Sequence, residues 1–386
     1  MKTSSFVALV AVVAGLALLP PPRAVGARAY RFELPPGFPE PRVPADNPMS
    51  ELKVELGRRL FYDRRLSANQ RQACASCHRQ ELAFTDGRAH AIGSTGDVVA
   101  RSSMSLANAA YRSRLTWANP MVRRLEDQAL VPMFGDHLVE LGLPDAETLL
   151  ARLRRDPDYV ERFAASFPGE SAPITLANVT RAIAAFERTL VSGGSPYDRF
   201  VAGDASALSA SAQRGMELFF SERLECFHCH GGFDFSDSFD HAGMPDAERP
   251  FHNTGLYDVD GKGAYPASDR GVYEVTGRPS DMGRFRAPSL RNVGVTAPYM
   301  HDGSIATLEG VLAHYEAGGR TVASGPDAGD GSQSPLKDPF VLGFVLTDAE
   351  RADVIAFLES LTDEAFLHDP RFSDPFVSDP PFAPPR

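Results

Sequence analysis

Cysteine is scarce in this chain: there are four in 386 residues, beside a single tryptophan. All four fall in two C-x-x-C-H runs, Cys74 to His78 and Cys226 to His230, so none remains for a structural disulfide. A cationic surplus is missing too. With 39 Lys and Arg against 50 Asp and Glu, the formal charge is −11, which argues against nucleic acid as a partner. Long apolar runs are absent after the N-terminus, and the one at the N-terminus, Phe6 to Leu19, falls short of the about 20 residues a membrane span needs. Strand-like alternation is sparse, which points to a mainly α chain.

What is present begins with an export signal. MKTSSFVALVAVVAGLALLPPPRAVGA has a charged start at Lys2, an apolar stretch, and small residues Val25-Gly26-Ala27 suited to cleavage. The break at Pro20-Pro21-Pro22 argues against an uncleaved anchor. Residues 1–27 are thus expected to be a signal peptide. The mature protein is expected in the periplasm, off the membrane, with Lys2 and Arg23 removed and the formal charge taken from −11 to −13. The remaining length is more than one ordinary core holds, so two domains are expected.

Three readings compete for the C-x-x-C-H runs. A thioredoxin-like pair needs only one C-x-x-C and has no use for the histidine that follows. A four-thiolate zinc site usually has its pairs roughly 15–20 residues apart, far closer than Cys77 and Cys226. In c-type haem attachment the two thiols add to the haem vinyl groups and the adjacent histidine sits under the iron. Two copies that exhaust the cysteines of an exported chain favour two covalently bound c-type haems.

The surroundings of the two motifs repeat. Gly57, Leu60, Phe61 and Tyr62 precede the first, and Gly215, Leu218, Phe219 and Phe220 precede the second; Phe84-Thr85-Asp86 and Phe235-Ser236-Asp237 follow. Matches on both sides of both motifs predict two tandem cytochrome c-like haem domains, at 28–200 and 201–386. Apolar spacing predicts helices over Ser50 to Tyr62, Ala146 to Leu153, Thr175 to Leu190, Thr307 to Tyr315 and Asp348 to Leu361. Gly318 to Ser334 reads as a surface loop, and the Pro-rich tail after Asp369 as extended.

The sixth iron position separates an electron carrier from a catalyst, because only an open position binds peroxide. Candidates in the second half are Met282, Met300, His301, His314 and Tyr315. In the helix predicted around them, Leu308, Val311, Leu312 and Tyr315 share one face and His314 points away. Tyr315 is then a core tyrosine with a bonded hydroxyl, or a group aimed at a haem.

FRAPSLRNVGVTAPYMHDGSIATLEGVLAHY, beside the two haem motifs, resembles the bacterial di-haem cytochrome c peroxidase/MauG family from about Leu52 to Leu361. The resemblance implies an N-terminal haem that reacts with hydrogen peroxide and a C-terminal haem that handles electrons. It places Tyr315 where ordinary members carry a ligating methionine, the MauG-type choice; a phenolate there is expected to lower the haem potential. The stretch that holds a distal histidine in ordinary members, here AIGSTGDVVARSSMSLAN, has none after His90, which implies an open N-terminal iron. Gln128, Pro132 and Glu140 match the distal segment. Glu140 is then the acid that moves a proton between the peroxide oxygens, or else a solvated glutamate; Gln128 orients peroxide or Glu140. Trp117 matches an inter-haem tryptophan that relays an electron hole, the alternative being a core aromatic. A calcium ion between the domains is implied at Thr296 and Pro298, with Ser102 replacing the usual asparagine. His301 matches a histidine near the haem edge. The stretch LTWANP…LEDQ…VELG is most like the methanobactin-operon type of MauG relative, which converts a partner's tryptophan to kynurenine. The family reading is therefore an exported oxidoreductase acting on a partner protein. The alternative is a peroxidase drawing electrons from a small cytochrome or copper protein.

Overall fold

The computed structural model describes residues 30–245 and 250–378. The expected signal peptide lies outside them. The described chain is mainly helical; its one small sheet is the hairpin pairing Thr321–Val322 with Gly329–Asp330, inside the stretch expected to be loop. Helices start where side chains can cap free backbone N–H groups. Ser50 caps Glu51–Tyr62, Thr175 caps Leu176–Glu187, Ser209 caps Ala210–Phe219, and Thr307 caps Leu308–Glu316. Thr347 and Glu350 form a reciprocal capping box at the start of Asp348–Glu359.

These helices build two similar crossings. Glu51–Tyr62 crosses Leu176–Glu187, and Ala210–Phe219 crosses Asp348–Glu359. A glycine sits at each contact. A Cβ on Gly57 would lie 1.8 Å from the carbonyl oxygen of Ala182, and one on Gly215 would lie 1.9 Å from that of Asp353. The repeated glycine is therefore the point where two helix backbones touch. The parallel extends past the motifs. Phe84 and Phe235 both take left-handed backbone conformations, and so do Asn108 and Asn292. Asn108 N–H donates to Leu190 O, and Asn292 N–H to Leu361 O, each just past the second helix of its crossing.

One core gathers Leu56, Leu60, Phe61, Phe84, Ile183 and Phe186; another gathers Phe219, Phe235, Leu312, Val354 and Phe357. Phe366, Leu367 and Phe372, near the end of the chain, pack on the first core rather than the second. The described part of the tail expected to be extended instead makes helical turns at Pro370–Phe372 and Pro375–Ser378; residues 379–386 lie outside the described residues. Their asparate caps explain the difference: Asp369 accepts from Arg371 N, and Asp374 from Phe376 N.

Candidate active site

Each C-x-x-C-H motif opens onto a cavity. The smaller, about 600 Å³ with the open solvent at its entrance counted, is walled by Cys74, Cys77, His78, Gln128, Pro132, Glu140 and Glu187 among others. The larger, about 1770 Å³ on the same basis, has Cys226, Cys229, His230, Trp117 and Tyr315 on its wall. No disulfide joins any of the four cysteines. Burial pushes Cys77 up to about 11 and Cys226 up to about 12, and Cys74 higher still, so these stay protonated at neutral pH.

The two histidines are held alike. His78 Nδ1 lies 2.8 Å from Phe84 O, and His230 Nδ1 3.1 Å from Phe235 O. A carbonyl oxygen only accepts, so Nδ1 carries the proton and Nε2 the lone pair, the tautomer a metal ligand needs. Burial lowers both pKa values and keeps the rings neutral. The left-handed turn at Phe84 and at Phe235 aims each carbonyl back at the ring.

In the smaller cavity, the turns Leu125–Gln128 and Leu130–Phe134 place Gln128 and Pro132. The loop bearing Glu140 is tied down on both sides. Ser94 N–H donates to Glu140 O at 2.6 Å, and Leu141 N–H to Pro132 O at 2.9 Å. Burial raises the pKa of Glu140. A second carboxyl, Glu187, escaped the sequence reading. It is buried, its Oε2 has no hydrogen-bond partner among the described residues, and burial raises its pKa to about 8 against the pull of Arg188. Its signal was available: Glu187 lies four residues beyond Ile183, on the apolar face of its helix.

In the larger cavity, Leu308, Val311, Leu312 and Tyr315 all face the wall, as their spacing predicts. Burial raises the Tyr315 phenol well above its ordinary pKa, with Cys229 and Cys226 adding to the shift. His314 is buried away from the cavity, and burial drops its pKa to about 4. Met300 and His301 reach the wall, whereas Met282 does not. His301 stacks on Phe285 at 3.6 Å, a packing role. Trp117 Nε1 donates to Ser102 O at 2.9 Å. His90 is on neither wall; its Nδ1 donates to Val99 O. His252 was not singled out in the sequence. Burial alone would lower its pKa, but Asp237 and Asp338, at 2.7 Å on either nitrogen, outweigh it and hold the ring cationic up to about 12.

Thr296, Pro298 and Ser102 share this wall but offer no carboxylate. The Ser102 hydroxyl donates to Met300 O at 3.2 Å and its carbonyl already accepts the Trp117 indole. Backbone oxygens serve as calcium ligands without a carboxylate, and calcium enters no step below.

Comparison with known proteins decides the family. A family model described as di-haem cytochrome c peroxidase matches residues 51–206. A cytochrome-c peroxidase, IdrP1, of Denitromonas iodatirespirans is 40% identical over 90% of this chain and 92% of its own. The chain belongs to the di-haem cytochrome c peroxidase/MauG family. The methylamine utilization protein MauG of Methylorubrum extorquens is 33% identical over 88% of this chain and 86% of its own. A solved MauG-like protein associated with microbial copper homeostasis superposes with a TM-score of 0.88 at 53% identity, covering 90% of this chain and 100% of that one. The family is one of oxidoreductases with two c-type haems in tandem domains. The residues here fit that cofactor: paired thiols, a neutral histidine and a large, largely apolar wall in each cavity. Among the described residues, no helix is long and apolar enough to cross a membrane.

Proposed function

We propose that this protein activates hydrogen peroxide at the Cys74–Cys77–His78 site and oxidises a residue of an exported partner protein, such as tryptophan, through the Cys226–Cys229–His230 site. The observation that carries this reading is Tyr315 on the same cavity wall as Cys226, Cys229 and His230. A haem at each site would supply an iron able to exchange electrons and to activate peroxide. His78 and His230 would hold those irons through Nε2, and Tyr315 would add its phenol oxygen at the second.

Glu140 works as acid and base. Its raised pKa lets it hold a proton longer than an exposed glutamate, so it can take one from one peroxide oxygen and return it to the other. The Gln128 amide, on the same wall, orients peroxide or Glu140. Trp117, anchored through its indole nitrogen, carries the electron hole between the two sites. A partner has a place to dock. Phe340 lines the larger cavity, and Leu342 and Val345 beside it are 76% and 81% exposed. These exposed apolar side chains beside the cavity suit an apolar patch on the partner.

The relationship to proteins named cytochrome-c peroxidase supports a second reading, reduction of peroxide to water with electrons from a small cytochrome or copper protein. Rapid mixing of the fully oxidised protein with peroxide separates the two. Immediate spectral change without reductant supports partner oxidation; reaction only after partial reduction supports the peroxidase.

A further inference from the structure

Arg286 is 4% exposed and lies on the wall of the larger cavity. Among the described residues, no carboxylate is within ion-pair distance of it. Its guanidinium contacts are neutral and mostly long: Met104 Sδ at 2.9 Å, Thr116 O at 3.4 Å and Ala287 O at 3.5 Å. A thioether is a weak acceptor.

The nearby acids are committed elsewhere. Asp234 binds Arg112 at 2.8 Å and Asn108 at 2.9 Å, and Asp237 binds His252 at 2.7 Å. Arg112 adds a like charge. Burial and Arg112 lower the Arg286 pKa to about 9, which still leaves it protonated at neutral pH. A buried charge without a counter-ion is a costly arrangement, and one that an arriving anion relieves. The planar fork of a guanidinium suits a carboxylate.

A haem brings two carboxylates, its propionates, attached to an otherwise apolar ring. Arg286 shares its wall with Cys226, Cys229 and His230. We infer that Arg286 is the receptor for a propionate of the haem held there and that, through this pair, it sets that haem's reduction potential. The inference rests on the reading of this cavity as a haem site. A fixed cation beside the haem disfavours its oxidised, more positive state. It also keeps the propionate ionised, so the potential of the wild-type haem stays flat with pH.

The test uses the full-length haem-loaded protein and its Arg286→Gln and Arg286→Lys variants. Pyridine haemochrome analysis counts haems, spectroelectrochemical titration from pH 5 to 8 gives each potential, and resonance Raman reads the propionate bending modes. Fewer than two haems in the wild type would sink the cofactor reading itself. With two haems bound, Arg286→Gln lowers the potential of the Cys226–Cys229 haem and makes it depend on pH, and Arg286→Lys restores most of both. Unchanged potentials in Arg286→Gln, or a shift confined to the Cys74–Cys77 haem, overturns the inference. So does a wild-type potential that follows added chloride or phosphate, which would mean a solvent anion fills the place. Should Arg286→Gln fail to fold, the Raman bands of Arg286→Lys decide: moved propionate modes support the pair, unmoved modes refute it.

Discussion

The indole nitrogen of Trp117 donates to the carbonyl oxygen of Ser102 at 2.9 Å, while the Trp117 carbonyl accepts from Arg286 N–H at 2.8 Å. The only tryptophan is thus fixed at both ends between a segment of the first half and a segment of the second. Trp117→Phe keeps the ring packing and removes the readily oxidised indole. It should leave the reaction with peroxide at the first site intact and slow the oxidation of the second. Rapid-mixing spectroscopy that follows the two haems separately checks this; equal rates in both proteins would remove Trp117 from the path.

Glu140 is a proton carrier on this account, so Glu140→Gln should slow the peroxide reaction by about 100-fold while both haems stay bound. Stopped-flow rates against peroxide concentration give the answer. A change confined to apparent peroxide affinity would make Glu140 a positioning residue.

Glu187 links the smaller cavity to stability. Its folded pKa, about 8, lies above the ordinary value of about 4.3 for an unfolded glutamate. The folded state therefore binds the proton more tightly, and stability falls as pH rises from about 4.3 through about 8. Glu187→Gln should flatten this slope and, at pH 9, stabilise the protein by a few kcal/mol. Denaturant unfolding at pH 5 and pH 9 measures it; an equal gain at both pH values would contradict the assignment.

Gly57→Ala and Gly215→Ala should each destabilise by about 3 kcal/mol or more, because the new methyl meets a helix carbonyl that cannot withdraw without separating the crossing. Matching losses of thermal stability would show that the two halves use one packing solution.

Contiguous signals were legible in the sequence. The thiols and histidines sit in short motifs, the helix bearing Tyr315 has a clean apolar face, and the repeated glycines, phenylalanines and acids announce a duplication. What escaped depends on what a side chain lacks in three dimensions. Glu187 and Arg286 look like ordinary charged residues until burial without an ion-pair partner among the described residues marks them, and His252 acquires its charge only because Asp237 and Asp338 converge from distant parts of the chain. The calcium expectation rests on family likeness rather than on a ligand pattern in the sequence. Up to Ser378 the tail turns because Asp369 and Asp374 cap its short helices, a local signal that outweighs its prolines.

The central claim is that Tyr315 makes the second site part of a store of oxidising power rather than an entry port for electrons. It is tested most directly by adding one equivalent of hydrogen peroxide to the fully oxidised protein, without reductant, and recording absorption into the near infrared beside a Tyr315→Met variant. The account predicts a long-lived near-infrared band from charge shared between the two haems, lost in the variant. No reaction until one haem is reduced, or a band that survives in Tyr315→Met, would contradict it.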